Sequence, residues 1–300
     1  MVIGMTASQF AQYSNRHRRS RTPISSSALA LLCVLAVGLG AAFVFAPSVL
    51  AASTPGGGYA GQGAVVAALS TAFVGYWNSG NRDYPPGLER VVDYWVRYHI
   101  AKAVIAALLL TVLVVLGVRL WRALLRADRL APGRGAVLAS SGLLVAMLAV
   151  CAVVLVMVNI RDAVVPFASL ISMLPLGSTN KQFTETIAQV RQHLAEYPAG
   201  GRTPPALQAM ISDFARFHLT LVVLAAVVAV ILVGMSVVAW KRRARTESSE
   251  RRSRRMLGLA GILSALLALA VIVVIVADLS TALHPAPALL AFFNGGTGGL

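Results

Sequence analysis

Five long apolar runs dominate the chain, at approximately residues 28–47, 100–120, 137–158, 219–240 and 256–277. Each has about the 20 residues that a helix needs to cross a hydrocarbon layer of roughly 30 Å. None carries a charge well inside it; Lys102 lies near an end, where its long side chain can reach the interface. One further stretch, residues 180–197, follows a different rule. Phe183, Ile187, Val190, Leu194 and Tyr197 recur at spacings of four, three, four and three, which places them on one stripe of a helix. The stripe predicts an amphipathic helix that covers the protein's own helix bundle, lies on the bilayer, or docks a partner through Phe183, Ile187, Val190 and Leu194. The expectation is an all-α integral membrane protein with five transmembrane helices.

The first run has a second reading. Basic residues precede it, and Val49-Leu50-Ala51 followed by Ala52 resembles a secretory cleavage site. Against cleavage, the run is longer than the hydrophobic core of an ordinary signal. Both readings stay open, leaving five spans or four. The organisation is then a basic cytoplasmic N-terminus at 1–27, a first helix or signal at 28–52 and an outer loop at 53–81. A first hairpin occupies 82–177, the amphipathic helix lies in 178–200, and a second hairpin occupies 201–296.

Composition and charge sharpen this picture. The chain is 57% hydrophobic and 12% charged, far from a soluble domain, and its two cysteines exclude a disulfide scaffold. A net charge of +15 would suit a nucleic-acid binder. Its distribution says otherwise. The segments before the first run, between the second and third, and between the fourth and fifth hold 17 basic and 3 acidic residues. The remainder holds 9 basic and 8 acidic residues. The positive-inside rule therefore places those three segments in the cytoplasm and the C-terminus outside, most simply in a plasma membrane. The basic loop 241–255 would attract anionic lipid headgroups, and no nucleic-acid partner is expected.

Sliding the chain by 119 positions aligns residues 82–177 with 201–296 without a gap, and 24 of 96 positions are identical. Apolar composition inflates that number. The weight rests on Pro85-Pro86 with Pro204-Pro205, Arg97-Tyr98-His99 with Arg216-Phe217-His218, Trp121 with Trp240, and Pro166 with Pro285. This pattern predicts a tandem duplication of a two-helix hairpin. Both copies would have the same orientation, with the repeat axis along the membrane normal.

The repeated Arg-aromatic-His is the most distinctive polar feature. His99 and His218 could ligate haem or a metal, or pass protons to a quinone, at the outer interface. The competing reading is an interfacial belt of aromatic rings, with Arg97 and Arg216 on lipid phosphates. On a helix, Asp93 and Arg97 are placed to pair, as are Asp213 and Arg216. Trp121 and Trp240 read as interface anchors at the cytoplasmic ends. Gly142 and Gly261, each four residues before an alanine, predict a close helix-packing face. Asn159 and Asp278 occupy equivalent outer helix ends. No standard hydrolase, zinc or phosphate-loop signature occurs, and no cofactor is expected.

The stretch Tyr76-Trp77-Asn78 through Asp93-Tyr94-Trp95-Val96-Arg97-Tyr98-His99 resembles multi-pass membrane proteins of actinobacteria, together with Arg202-Thr203-Pro204-Pro205 and residues 285–293. The resemblance covers nearly the whole chain after the first helix and implies a fold and a location, but no activity and no site residue. An arginine-to-lysine ratio of 23 to 3 agrees with a high-GC genome. Three functions remain in play. They are a non-enzymatic accessory or assembly partner in a membrane complex, a redox protein or electron carrier using His99 and His218, and a small transporter.

Overall fold

The structure, a computed structural model, describes residues 26–53, 57–125, 132–197 and 203–295. The basic N-terminal segment and Arg126 and Arg129 of the first basic turn lie outside the described residues. Nine helices are described: α1 (Ser26–Ala52), α2 (Gln62–Ser79), α3 (Pro86–Leu125), α4 (Pro132–Val164), α5 (Pro166–Ile171), α6 (Lys181–Ala195), α7 (Pro205–Arg245), α8 (Arg251–Leu283) and α9 (Pro285–Phe293). There is no strand among the described residues. Five of the helices, α1, α3, α4, α7 and α8, are long and apolar enough to cross a membrane. This is a multi-pass α-helical membrane protein.

α3 and α7 have 40 and 41 residues, so each is about 60 Å long, twice the hydrocarbon thickness. Each is therefore a span and a stalk in one helix. The apolar runs mark only the span, and the preceding stretches, about four turns each, rise into a second layer. That layer, the cap, is built from α2, α5, α6, α9 and the first turns of α3 and α7. Its core joins Leu69, Phe73 and Tyr76 of α2, Leu88 and Val91 of α3, and Phe167 and Leu170 of α5. α6 adds Phe183, Ile187, Val190 and Leu194, α7 adds Leu207, Met210 and Phe214, and α9 adds Leu289 and Phe293.

Helix α2 falls where the sequence pattern indicated only a loop. Its buried residues Val65, Leu69, Phe73 and Tyr76 do keep helical spacing. The intervening Gly, Ala, Ser and Thr blunt the contrast between its faces, which hides the helix. It ends at Gly80, whose φ of 63° lets the backbone turn left-handed while its N–H bonds to the Trp77 carbonyl. Asn180 caps α6 by accepting a hydrogen bond from the Phe183 amide at 3.1 Å.

The membrane layer is looser. α3 packs against α4 and α1 along its length, and α7 against α8, while the two hairpins touch mainly through α4 and α7. Only 11% of the most apolar stretch of α7 is buried by the rest of the chain.

Four element boundaries keep a fixed offset. α3 and α7 begin at residues 86 and 205, α4 and α8 begin at 132 and 251 and end at 164 and 283, and α5 and α9 begin at 166 and 285. The interval is 119 at these four boundaries; it is 120 between the ends of α3 and α7 and 122 between the ends of α5 and α9. The break after α4 and the break after α8 share a conformation, with φ −127° at both Val165 and His284. The residue before a proline is pushed out of the helical region, and Pro166 and Pro285 then restart the helix. Buried positions match as well, with Leu88 and Leu207, Val91 and Met210, Ala106 and Ala225, and Leu170 and Leu289 all covered.

Candidate functional site

The repeated histidines sit where the spans enter the cap, and both are buried, at 6% exposure for His99 and 1% for His218. Each faces the second spanning helix of its own hairpin, α4 for His99 and α8 for His218. His99 Nδ1 lies 2.9 Å from Asn159 Oδ1, and His218 Nδ1 lies 2.7 Å from Asp278 Oδ1. Asn159 and Asp278 are themselves 119 apart. The geometry fixes the tautomers. Asn159 donates its Nδ2 to the Leu155 carbonyl at 2.7 Å, so its Oδ1 is the acceptor and His99 Nδ1 carries hydrogen. Asp278 offers a carboxylate, so His218 Nδ1 is the donor there. Nε2 of both rings is buried and has no hydrogen-bond partner among the described residues.

Each imidazole is held by an aromatic edge one turn earlier, Trp95 at 4.4 Å from His99 and Phe214 at 4.8 Å from His218. Trp95 is in turn fixed by donating its Nε1 to Ser169 Oγ of α5 at 3.1 Å. The rings therefore cannot swing without disturbing the cap.

Around His99 the structure adds two residues that the sequence pattern missed. Asp162 Oδ2 lies 3.6 Å from His99 Nδ1, and Asp162 Oδ1 accepts from Arg161 Nε at 3.1 Å. The Arg161 guanidinium also lies 3.8 Å from the centre of the Phe217 ring on α7. A continuous path thus runs from His99 through Asp162, Arg161 and Phe217 to His218, crossing the seam between the hairpins. Asp162 was hidden because its partner at the 119 offset is Thr281, so a search for repeated residues passes over it. Its position three residues after Asn159, on the same helix face, was the available signal.

A second polar contact ties the cap to α7. Tyr84 donates its hydroxyl to Asp213 Oδ2 at 3.0 Å, and Arg216 lies 3.6 Å from Asp213 Oδ1. Burial and the adjacent Asp213 charge push the Tyr84 phenol far above its ordinary range. Tyr76, which donates to the Ala206 carbonyl at 3.2 Å, is pushed up to about 12, first by burial and then by Asp213.

The other candidate residues are placed as follows. Arg216 meets Asp213 as its spacing suggested, but Arg97 does not pair with Asp93. Its Nε donates instead to the Ala51 carbonyl at 3.3 Å, and Asp93 stays exposed. Tyr94, Phe214 and Phe217 are buried in the protein, so they are not part of a lipid-facing belt. The stripe Phe183, Ile187, Val190 and Leu194 is filled by the cap core, which leaves a partner no open face there. His193 rests 5.7 Å from the Trp77 ring, and Trp77 Nε1 donates to Gln189 at 2.8 Å. Gly261 packs close to the Trp240 ring, where a Cβ would meet Nε1 at 2.9 Å. A Cβ at Gly142 would meet nothing within 4 Å among the described residues, so the expected close-packing face exists in one hairpin only. Trp121 and Trp240 are partly exposed at the ends of the apolar stretches, and Arg243 lies 4.9 Å from the Trp240 ring.

Among the described residues no group of three histidine, cysteine or acidic side chains converges as a metal site. Cys33 and Cys151 are both free. Compared with known proteins, the chain matches no family model, no curated protein and no solved structure.

Proposed function

We propose that this is a plasma-membrane protein built from a duplicated hairpin, acting as a non-enzymatic assembly partner within a membrane complex. Its N-terminus and arginine-rich turns lie in the cytoplasm, and the cap lies outside. The offset of 119 shared by four helix boundaries supports the duplication. The observation that carries the assembly reading is the contrast in closure between layers. The cap satisfies its own apolar surface, including the α6 stripe, whereas α7 keeps nearly all of its most apolar stretch uncovered. The surface left for another protein is then the spanning helices, where association depends on packing and not on a hydrophobic drive out of water. Anionic headgroups on the cytoplasmic arginines would hold the depth of the assembly.

The test places a photo-crosslinking residue at Val227 or Val230 on α7, both well exposed, and at Glu185 on the cap as a control. One defined protein adduct from α7, and none from the cap, is expected. Lipid adducts alone, with a protein that always purifies by itself, would overturn the reading.

A second reading rests on the unpartnered Nε2 atoms of His99 and His218. A histidine that ligates a metal or haem iron usually donates its other ring N–H to a carboxylate or amide, which is the arrangement at both rings. This supports a redox role at the outer face. An absorbance spectrum and metal analysis of the purified protein test it: a haem band or stoichiometric metal lost on His218→Ala supports the role, and a colourless, metal-free preparation removes it.

A further inference from the structure

The two hairpins differ most in what their inward helices present at the mouth of the membrane. On α3, Arg97 donates to the Ala51 carbonyl at 3.3 Å, satisfying one of the acceptors that the end of α1 leaves free. Ala51 itself is completely buried and belongs to the cap core. Lys102 Nζ lies 4.7 Å from the Phe43 ring of α1 and 5.2 Å from the Tyr98 ring of α3. Deeper in the membrane, Leu29, Leu32 and Ala36 of α1 pack against the cluster of Leu113, Leu116 and Leu120.

At the 119 offset these α3 residues become Arg216, Phe217 and Leu221. Arg216 turns to Asp213 of its own helix, and Leu221 carries no charge. The cation at 102 and the outward reach of Arg97 thus belong only to the hairpin that has α1 beside it. Two equivalent helices differ at position 102 and in what their shared arginine meets, both at points that touch the first helix.

We propose that α1 is a permanent fifth span and that the chain is not cut after Val49-Leu50-Ala51. A peptidase that cleaves after a small residue needs extended, accessible backbone, so that its nucleophile can reach the carbonyl carbon of the bond it breaks. Proteolysis concentrates for that reason at exposed, unstructured segments. Here the bond between Ala51 and Ala52 lies inside the last turn of α1, the Ala51 methyl is buried, and the carbonyl oxygen is held by Arg97. Removing α1 would also leave Lys102 without its Phe43 ring.

The experiment is mass spectrometry of the full chain isolated from its own membrane. No lysine or arginine lies between Arg21 and Arg82, so trypsin releases the Ala51–Ala52 bond within a single peptide, residues 22–82. Recovery of that intact peptide is the expected result. A predominant peptide beginning at Ala52 and ending at Arg82 would overturn the proposal. A second measurement tests docking apart from retention. With Cys33→Ser and Cys151→Ser as background, Phe43→Cys and Lys102→Cys should be bridged by a short bis-maleimide. Phe43→Cys with Leu221→Cys should not be. Equal bridging of both pairs, or of neither, would show that α1 is no fixed part of the bundle. Arg97→Leu should lower the first bridging several-fold, and Arg216→Leu should leave it unchanged.

Discussion

The hairpin α3–α4–α5 and the hairpin α7–α8–α9 have the same frame and different polar chemistry. Both break at a proline after the second spanning helix, both bury a histidine at the same height, and both hold its Nδ1 from the same position of that helix. In one the partner is the amide of Asn159, with Asp162 standing behind it and neutralised by Arg161. In the other it is the carboxylate of Asp278 itself. What the frame requires is an acceptor at that point; which acceptor is left free. The same holds for the arginines, one spent on α1 and the other on its own helix.

The largest break in this parallel should come at the aromatic residue before the histidine. Phe217 is buried and carries the Arg161 guanidinium on its face, whereas its counterpart Tyr98 is only half-buried. Phe217→Ala should destabilise by about 3–5 kcal/mol, as loss of a fully buried ring does, and Tyr98→Ala by clearly less. Thermal unfolding in mild detergent measures both. Equal losses would mean that the Arg161 contact across the seam contributes nothing.

The acceptors come next. Asp278→Leu leaves a buried imidazole N–H unpaired and should cost about 1–3 kcal/mol, and Asn159→Leu should fall in the same range. Asp278→Asn converts one hairpin to the acceptor of the other and should cost less than either. If Asp278→Asn were as damaging as Asp278→Leu, the carboxylate charge would be the requirement and the two sites would not be equivalent.

These residues also show how far the sequence could be read. The spans were legible because lipid imposes a composition as well as a period, and the stripe of α6 was legible because polar residues fill its other faces. Both His–acceptor pairs were within reach, since a fixed offset relates His99 to His218 and Asn159 to Asp278; nothing in the pattern said that the two offsets meet in space. Asp162 and Arg161 were not legible by repetition, because they exist in one hairpin alone. The cap was the least legible part. Its core draws on parts of six helices and the end of α1, and the stalks of α3 and α7 look like loops when only the apolar run is counted as helix.

The cap should also separate from the hairpins by pH. Tyr84 and Tyr76 are held protonated by burial and by Asp213, and both hydroxyls act as donors into α7. A phenol whose pKa is raised on folding stabilises fully below its unfolded value of about 10 and loses that contribution as pH rises through the folded value. For Tyr76 the window runs from about 10 to about 12. Stability should fall in that window by up to about 1.4 kcal/mol per pH unit for each phenol, with the cap loosening while the spans stay helical. Tyr76→Phe and Tyr84→Phe should flatten the slope in unfolding curves read by near-ultraviolet circular dichroism. An unchanged slope in the double variant would place the alkaline-sensitive groups elsewhere.

The smallest effect tests the arginines. Arg216 is 67% exposed, and its pairing with Asp213 at 3.6 Å is screened by water, so Arg216→Ala should change stability by no more than about 0.5 kcal/mol. Arg97 is half-buried and donates to a helix-end carbonyl that has lost its intrahelical partner, so Arg97→Ala should cost more, about 1 kcal/mol. The order matters more than either value. With the same residue type at the same height on equivalent helices, any difference comes from what stands opposite, a largely buried carboxylate that Tyr84 already holds in one case and the end of α1 in the other. If Arg216→Ala were the costlier change, Asp213 would depend on its neighbour as well as on Tyr84, and the polar tie between cap and α7 would be an ion pair, not a phenol hydrogen bond.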